Sequence, residues 1–370
     1  MGRSIDKITL KGFKSIRSLE DFALGPVNVL IGANGCGKTN FVSFFHLLSR
    51  MVEGQLEGTV NKAGGADFHL FLGPKVTEKI EAHLEFGVNG YGFSLEPTAD
   101  NRLIFADERI LYHADPGMRT TSVDRSIGKG HSESKLKEYV GWNSQIAQHV
   151  YRAVSSWTVY HFHDTSGTAK IRRRCSVRDN ERLRSDGENL AAFLYRLRKE
   201  ETDTYELICD SVRLVAPFFR QFKLRPRRAA HHRELELEWE QKGSDYPFHP
   251  SQLSDGTLRF IALTTALLQP EPPATILIDE PELGLHPYAL DVLANLILQA
   301  QERTQLIVLT QSAALLNAFD PDQIVVIDRQ DGESRFRRLD ADELSVWLAE
   351  EYTLGDLWQK NVYGGGPVHE

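Results

Sequence analysis

The chain has 370 residues, of which 41% are hydrophobic and 25% charged, with a formal net charge of -8. This is the composition of an ordinary globular protein, and the acidic balance speaks against a wholly basic nucleic-acid binder. Cys36, Cys175 and Cys209 are scattered with no C-x-x-C pair, which argues against a zinc site or a disulfide framework and fits a reducing cytoplasm. The start, MGRSIDKITLKGFKSI, alternates like a strand, and the longest apolar stretch, Phe260 to Leu268, is too short to span a bilayer.

The length fits one compound α/β domain. We expect a nucleotide-binding core from residues 1–75 and 251–340, an antiparallel β insertion at 76–165, a helical, basic lobe at 166–250, and a C-terminal helix and tail at 341–370. Ile5 to Ile16 reads as a strand with a turn at Gly12, and Val27 to Ile31 as a buried strand. Directly after it, Gly32-Ala-Asn-Gly-Cys-Gly-Lys38-Thr39 opens a helical pattern through Phe41, Phe44, Phe45, Leu47 and Leu48. This is G-x-x-x-x-G-K-[ST] in the strand-loop-helix setting the motif requires. Its glycines let backbone N–H groups point at phosphate oxygens, Lys38 neutralises the β and γ phosphates, and Thr39 can ligate Mg²⁺. The candidate nucleotide-binding positions here are Gly32, Asn34, Gly35, Gly37, Lys38, Thr39 and Asn40, with Lys14 from the preceding strand.

From Gly64 to Tyr112 short alternating runs read as an antiparallel meander, Asp115 to Gly130 as an exposed loop, and Leu136 to Val154 as one or two helices. Trp157 to Phe162 looks like a further strand. It ends in His161-Phe-His163-Asp164, two histidines on one face with a carboxylate beside them. These three form either part of a metal site or the polar rim of a sheet near the nucleotide, and no neighbouring cluster completes four ligands. Glu188 to Arg198 and Thr202 to Phe219 read as amphipathic helices, the second interrupted at Pro217, and Leu235 to Trp239 as an edge strand.

Two basic islands flank those helices, Lys170 to Arg184 and Arg220 to Arg233. They are a solvated, ion-paired surface, a contact for the phosphate backbone of DNA or RNA through Arg172, Arg173, Arg174, Arg227 and Arg228, or a protein-partner surface.

Ser251 to Pro287 organises the rest. A Ser-x-Gly turn, Ser254-Asp-Gly256, opens a helix and exposes free N–H groups that attract an anion. After that helix, Thr275 to Ile278 delivers Asp279 and Glu280 at a strand end, where a parallel sheet exposes its ligand-binding edge. With a whole helix between them, one phosphate chain cannot sit against both, so the site is composite, one copy presenting its turn to the nucleotide on another. Gln305 to Thr310 is the next buried strand and ends on Gln311-Ser312. Gln323 to Ile327 is a last short strand, Asp340 to Trp358 is helical, and the glycine-rich tail from Gly364 is expected to be mobile.

Taken together these motifs resemble the ABC-type ATPase heads of the chromosome-maintenance (SMC) and RecF class, and more narrowly the small bacterial AAA-family ATPases of ABC-like type. Leu10-Lys-Gly-Phe-Lys-Ser15 is similar to the opening strand of that class, Leu253-Ser-Asp-Gly-Thr257 to its signature turn, Ile276 to Glu280 to its Walker B strand, and Glu282-Leu-Gly-Leu-His286-Pro287 to its D-loop. The resemblance implies an ABC-type P-loop fold with a mixed parallel core sheet, an antiparallel β-subdomain and a helical lobe. It also implies a homodimer holding two ATP molecules between the phosphate loop of one subunit and the signature turn of the other. In that arrangement Lys38 and Thr39 bind phosphate and Mg²⁺, Asp279 holds the Mg²⁺ shell, Glu280 activates water, and Ser254 and Gly256 reach the γ-phosphate in trans.

Three positions depart from the class pattern. Asp255 stands where glycine is common and sets a carboxylate near a triphosphate, which weakens closure unless a basic residue offsets it. Thr257 replaces glutamine, and Gln311 occupies the position of the switch histidine, where a neutral amide carries no proton. We therefore expect a slow ATPase acting as a dimeric switch in DNA maintenance or antiviral defence. It would engage nucleic acid or an effector in the ATP state, and any nuclease would be a separate chain, because only about 40 residues follow the last strand. A nucleotide-binding module without turnover and a transporter ATPase subunit are the alternatives.

Overall fold

Two sheets enclose one long helix, and the apolar periodicity of that helix explains why. In Lys38–Val52, Phe41, Phe44, Phe45 and Leu48 recur at helical spacing and are all fully buried. One side packs against the antiparallel sheet, with Phe44 meeting Phe13 at 5.5 Å and Phe93 at 6.4 Å between ring centroids. The other side reaches Leu277, Ile307, Leu309 and Val325 of the core sheet. This computed structural model describes residues 4–114, 121–142, 144–229 and 232–366.

The core sheet runs in the order Glu333–Arg338, Ile324–Gln330, Val27–Ile31, Gln305–Thr310, Thr275–Asp279, Thr158–Tyr160. All neighbours are parallel except the outer hairpin of 324–330 with 333–338. The interior strands VNVLI and QLIVLT are buried at every residue, as strands covered on both faces must be. Their shared direction brings Ile31, Thr310 and Asp279 to one edge. Helices Leu190–Glu200, Thr202–Val215, Asp255–Leu268 and Pro287–Ala300 contribute to the apolar core on the far face.

The antiparallel sheet runs Ile16–Ala23, Lys7–Phe13, Ile80–Phe86, Asn89–Pro97, Leu103–Tyr112, Val123–Gly128. It takes in residues 7–23, so the expected insertion boundary at residue 76 falls inside one sheet. The chain reverses at Lys14 and Ser15, not at Gly12; Lys14 takes the left-handed φ of 49°. Gly12 serves instead where a Cβ would press on the Lys79 carbonyl.

Other expectations shift for physical reasons. The region read as an exposed loop contains the edge strand Val123–Gly128, while residues 115–120 lie outside the described residues. The single strand expected at Leu235 to Trp239 is two, Arg233–Leu235 and Trp239–Gln241, in separate small sheets. The polar strand Glu333–Arg338 escaped notice because its sequence, ESRFRR, offers no apolar run. The C-terminal region forms two helices, Ala341–Ala349 and Leu354–Gln359. Gly364 to Gly366, expected to be mobile, are seated against the core sheet: the Gly365 N–H donates to Asp328 Oδ1 at 2.6 Å. Pro367 to Glu370 lie outside the described residues.

Candidate functional site

The phosphate loop joins the end of Val27–Ile31 to the start of Lys38–Val52. Gly35 and Gly37 have φ values of 79° and 115°, and a Cβ on Gly37 would overlap the Ser334 and Ser15 hydroxyls. The helix carries no side-chain cap and no acid in its first turn, which leaves its N–H groups and positive dipole end to a ligand. Lys38 is buried and turned back on the loop, its Nζ donating to the carbonyls of Gly32 and Ala33, the latter at 3.1 Å. Its direct hydrogen-bond partners are neutral, with the Asp279 carboxylate near enough to feel its charge, and a polyphosphate in the loop would supply charged acceptors. Asn34, Gly35 and Thr39 are exposed around the loop.

Asn40 lies behind this cradle and not in it. Its Nδ2 donates to Ser15 Oγ at 2.7 Å, Ser334 Oγ lies 2.7 Å from the same hydroxyl, and Ser334 Oγ also donates to the Cys36 carbonyl at 2.5 Å. Arg329 braces the outer side, Nη1 to the Gly35 carbonyl at 2.9 Å. Lys14 is half-buried at the hairpin tip, and burial lowers its pKa.

Across the sheet edge stand the two carboxylates. Burial raises the Asp279 carboxyl above its usual range; nearby His163 and Lys38 oppose the shift and Glu280 adds to it. His163 Nε2–H donates to the Asp279 carbonyl at 2.8 Å, while Asp164 accepts from the N–H and hydroxyl of Ser166. Glu280 holds a left-handed φ of 43°, a strained conformation for a residue with a side chain. Its N–H donates to the Leu309 carbonyl at 2.8 Å, and its Oε1 accepts from Gln311 Nε2 at 2.7 Å. Gln311, at the position of the switch histidine, faces this carboxylate.

The signature turn is open to solvent. Ser254 is exposed and caps its own helix, Oγ accepting from the Thr257 N–H at 3.1 Å. Gly256 packs so closely on the D-loop that a Cβ would overlap the Gly284 carbonyl oxygen. Buried Arg259 donates to the carbonyls of Phe162, His163 and Leu283, joining the signature helix to the His163 segment and the D-loop.

Of the five candidate nucleic-acid arginines, Arg172 alone leaves the surface, while Arg174 and Arg227 both approach Glu236. Arg172 is a correction: it is buried, Nε donating to the Thr165 carbonyl, Nη1 to those of Pro250 and Leu253, and Nη2 to Asp255 Oδ1 at 2.7 Å. It is the basic residue that offsets Asp255. Arg174 lies 3.7 Å from Glu236, and Arg227 pairs with Glu236 and Glu238. Arg225 and Lys223 meet Glu238 and Glu240, so the second island rests on a ladder of buried acids. Arg173 and Arg228 are exposed.

Residues 27–317 match the family model described as "AAA domain, putative AbiEii toxin, Type IV TA system". The chain belongs to this AAA family. Its fold is that of the ABC-type P-loop ATPase heads. An Smc head bound to the C-winged helix domain of ScpA is similar over 93% of this AAA chain and 99% of its own, with TM-score 0.60 and 16% identity. The Smc head of Pyrococcus furiosus bound to the C-terminal domain of ScpA is similar over 94% and 99%, with TM-score 0.54 and 17% identity. That of Pyrococcus yayanosii, with a coiled coil and joint, gives 94% and 99%, TM-score 0.51 and 12% identity. No curated protein matches significantly in sequence.

Four residues of this AAA chain escaped the sequence reading: the internal role of Arg172, and Arg259, Arg329 and Glu282. Arg259 did leave a signal, a lone cation in the otherwise apolar run LRFIALTTALL. Such a residue stays inside only with acceptors for its fork.

Proposed function

We propose that this AAA chain is a slow ATPase working as a dimeric switch, in which the signature turn of one copy closes over the nucleotide held by another. The observation that carries this reading is the placement of Ser254, exposed where it caps the signature helix and packed through Gly256 on the D-loop. Leu283 within the D-loop and Tyr288 just after it expose 39% and 52% of their surface, which suits a surface that meets a second copy.

Within each site Lys38 would leave the Gly32 and Ala33 carbonyls to meet the β and γ phosphates. Thr39 and Asp279 would hold Mg²⁺, which neutralises charge on the phosphate oxygens when bound. Glu280, held by Gln311, would orient the attacking water and take its proton. An amide at position 311 cannot relay that proton, which supports slow turnover. Arg172 cancels the Asp255 charge, so the altered signature remains compatible with closure.

The ATP-bound dimer would signal to a protein partner, an effector such as a separately encoded nuclease, in a defence setting to which the toxin–antitoxin description of the family points. Nucleic acid is the less favoured ligand, because Arg172, Arg174 and Arg227 are already engaged by this chain's own acceptors. Steady-state phosphate release tests the enzymatic half. Wild type should turn over slowly and Glu280→Gln should lose the rate while still binding ATP; equal rates in both would contradict the reading.

A further inference from the structure

We infer that Glu282 is a positioning residue that holds Gln311 so that its amide fixes the Glu280 carboxylate. The inference rests on the proposed role of Glu280 and names how that carboxylate is kept in place.

Three observations converge. The last ladder residue of Gln305–Thr310 is Thr310, opposite Ile31, so the N–H of Gln311 lies beyond the strand pairing. Glu282 supplies the missing acceptor: its Oε1 takes the Gln311 N–H at 2.7 Å. The Gln311 side chain then returns to Glu280 at 2.7 Å. Glu280, Pro281, Glu282 and Gln311 thus form a closed circuit. Its geometry is set by the left-handed φ of Glu280 and by the fixed φ of proline, which together aim two carboxylates spaced i and i+2 at one residue.

The cost of the arrangement argues for its use. Glu282 Oε2 is buried beside the Thr310 hydroxyl, with no hydrogen bond of good geometry among the described residues. A carboxylate in that position destabilises the fold, where an amide or a well-packed apolar side chain would not. Such a residue fits a site that trades stability for geometry. Ser312, the next residue, needs no such help: its N–H donates to Thr310 Oγ1 at 3.0 Å and its own Oγ caps Leu315 at 3.2 Å. Of these two residues, Gln311 is the one whose N–H depends on a distant side chain.

The test compares Glu282→Ala, Glu282→Gln, Gln311→Ala and the Gln311→Ala/Glu282→Ala pair in the full chain by phosphate release, with binding of a fluorescent ATP analogue as control. Glu282→Ala should lower kcat roughly 10-fold with KM and analogue affinity within about twofold. Glu282→Gln, whose carbonyl oxygen can still accept the Gln311 N–H, should keep at least about a third of the wild-type rate. In the Gln311→Ala background Glu282→Ala should add nothing, because both act through one path. Multiplicative losses, a rate unchanged in Glu282→Ala, or Glu282→Gln as impaired as Glu282→Ala would overturn the inference. A normal rate in Glu280→Gln would instead remove the reading beneath it, whereas loss in Glu280→Gln with a normal rate in Glu282→Ala would remove this inference alone.

Discussion

The side-chain amide of Gln311 donates to Oε1 of Glu280 at 2.7 Å, joining the ends of two adjacent parallel strands. Gln311→Ala should lower kcat about 10- to 100-fold through loss of carboxylate orientation, with little change in KM. Gln311→Glu should lower it further by setting like charge against Glu280. Steady-state phosphate release measures both, and a rate unaffected by Gln311→Ala would show that Glu280 needs no such partner.

Lys38 spends this conformation on two loop carbonyls, so its ammonium must change partners when phosphate enters. Lys38→Ala should weaken ATP binding by about 10- to 100-fold, the equivalent of losing charge-assisted hydrogen bonds. Titration of a fluorescent ATP analogue reads the change directly; undiminished affinity would place the phosphates elsewhere.

Arg172 has a side chain only 6% exposed, against 64% for its partner Asp255. Its loss strands the carbonyls of Thr165 and Leu253 and takes one of two donors from that of Pro250. Arg172→Ala should cost about 2–4 kcal/mol of stability, mostly from those carbonyls, since the exposed carboxylate is screened by water. Arg172→Lys should not restore it, because an ammonium cannot reproduce the planar fork. Adding Asp255→Ala should rescue ATP-driven association but not the melting temperature, and thermal melts with sizing experiments separate the two effects.

Burial raises the carboxyls of Asp279 and Glu282 above their ordinary 3.8 and 4.5. In the window between those ordinary values and the raised folded ones, the folded chain binds more protons than the unfolded chain. Stability from these groups is therefore greatest in acid and declines as pH rises through the window. Without nucleotide, Glu282→Gln should flatten the fall in melting temperature as pH rises above about 4.5, and raise it at neutrality. A steeper fall in the variant would contradict this.

The phosphate loop and the Walker B strand were legible in the sequence because each is contiguous: one run of residues carries both the local conformation and the chemistry. The basic islands were not, for two separate reasons. In KIRRR the three arginines look equivalent, yet the short turn Lys170–Arg172 rotates Ile171 and Arg172 inward and leaves Arg173 and Arg174 outside. In LELEWE the alternation suggests solvated glutamates on an edge strand, whereas Glu236, Glu238 and Glu240 are buried beneath lysine and arginine side chains contributed by Lys223 to Arg227. Charge cancellation between segments is a tertiary fact, and neither segment reveals it alone.

A composite site makes the strongest demand of all on the molecule, because it ties nucleotide binding to assembly. Mass measurement by light scattering on Glu280→Gln with Mg²⁺ and ATP tests it most directly. The account predicts a particle of twice the chain mass that reverts to one chain when Ser254→Arg is added or ATP is withdrawn. A single chain saturated with ATP would contradict it.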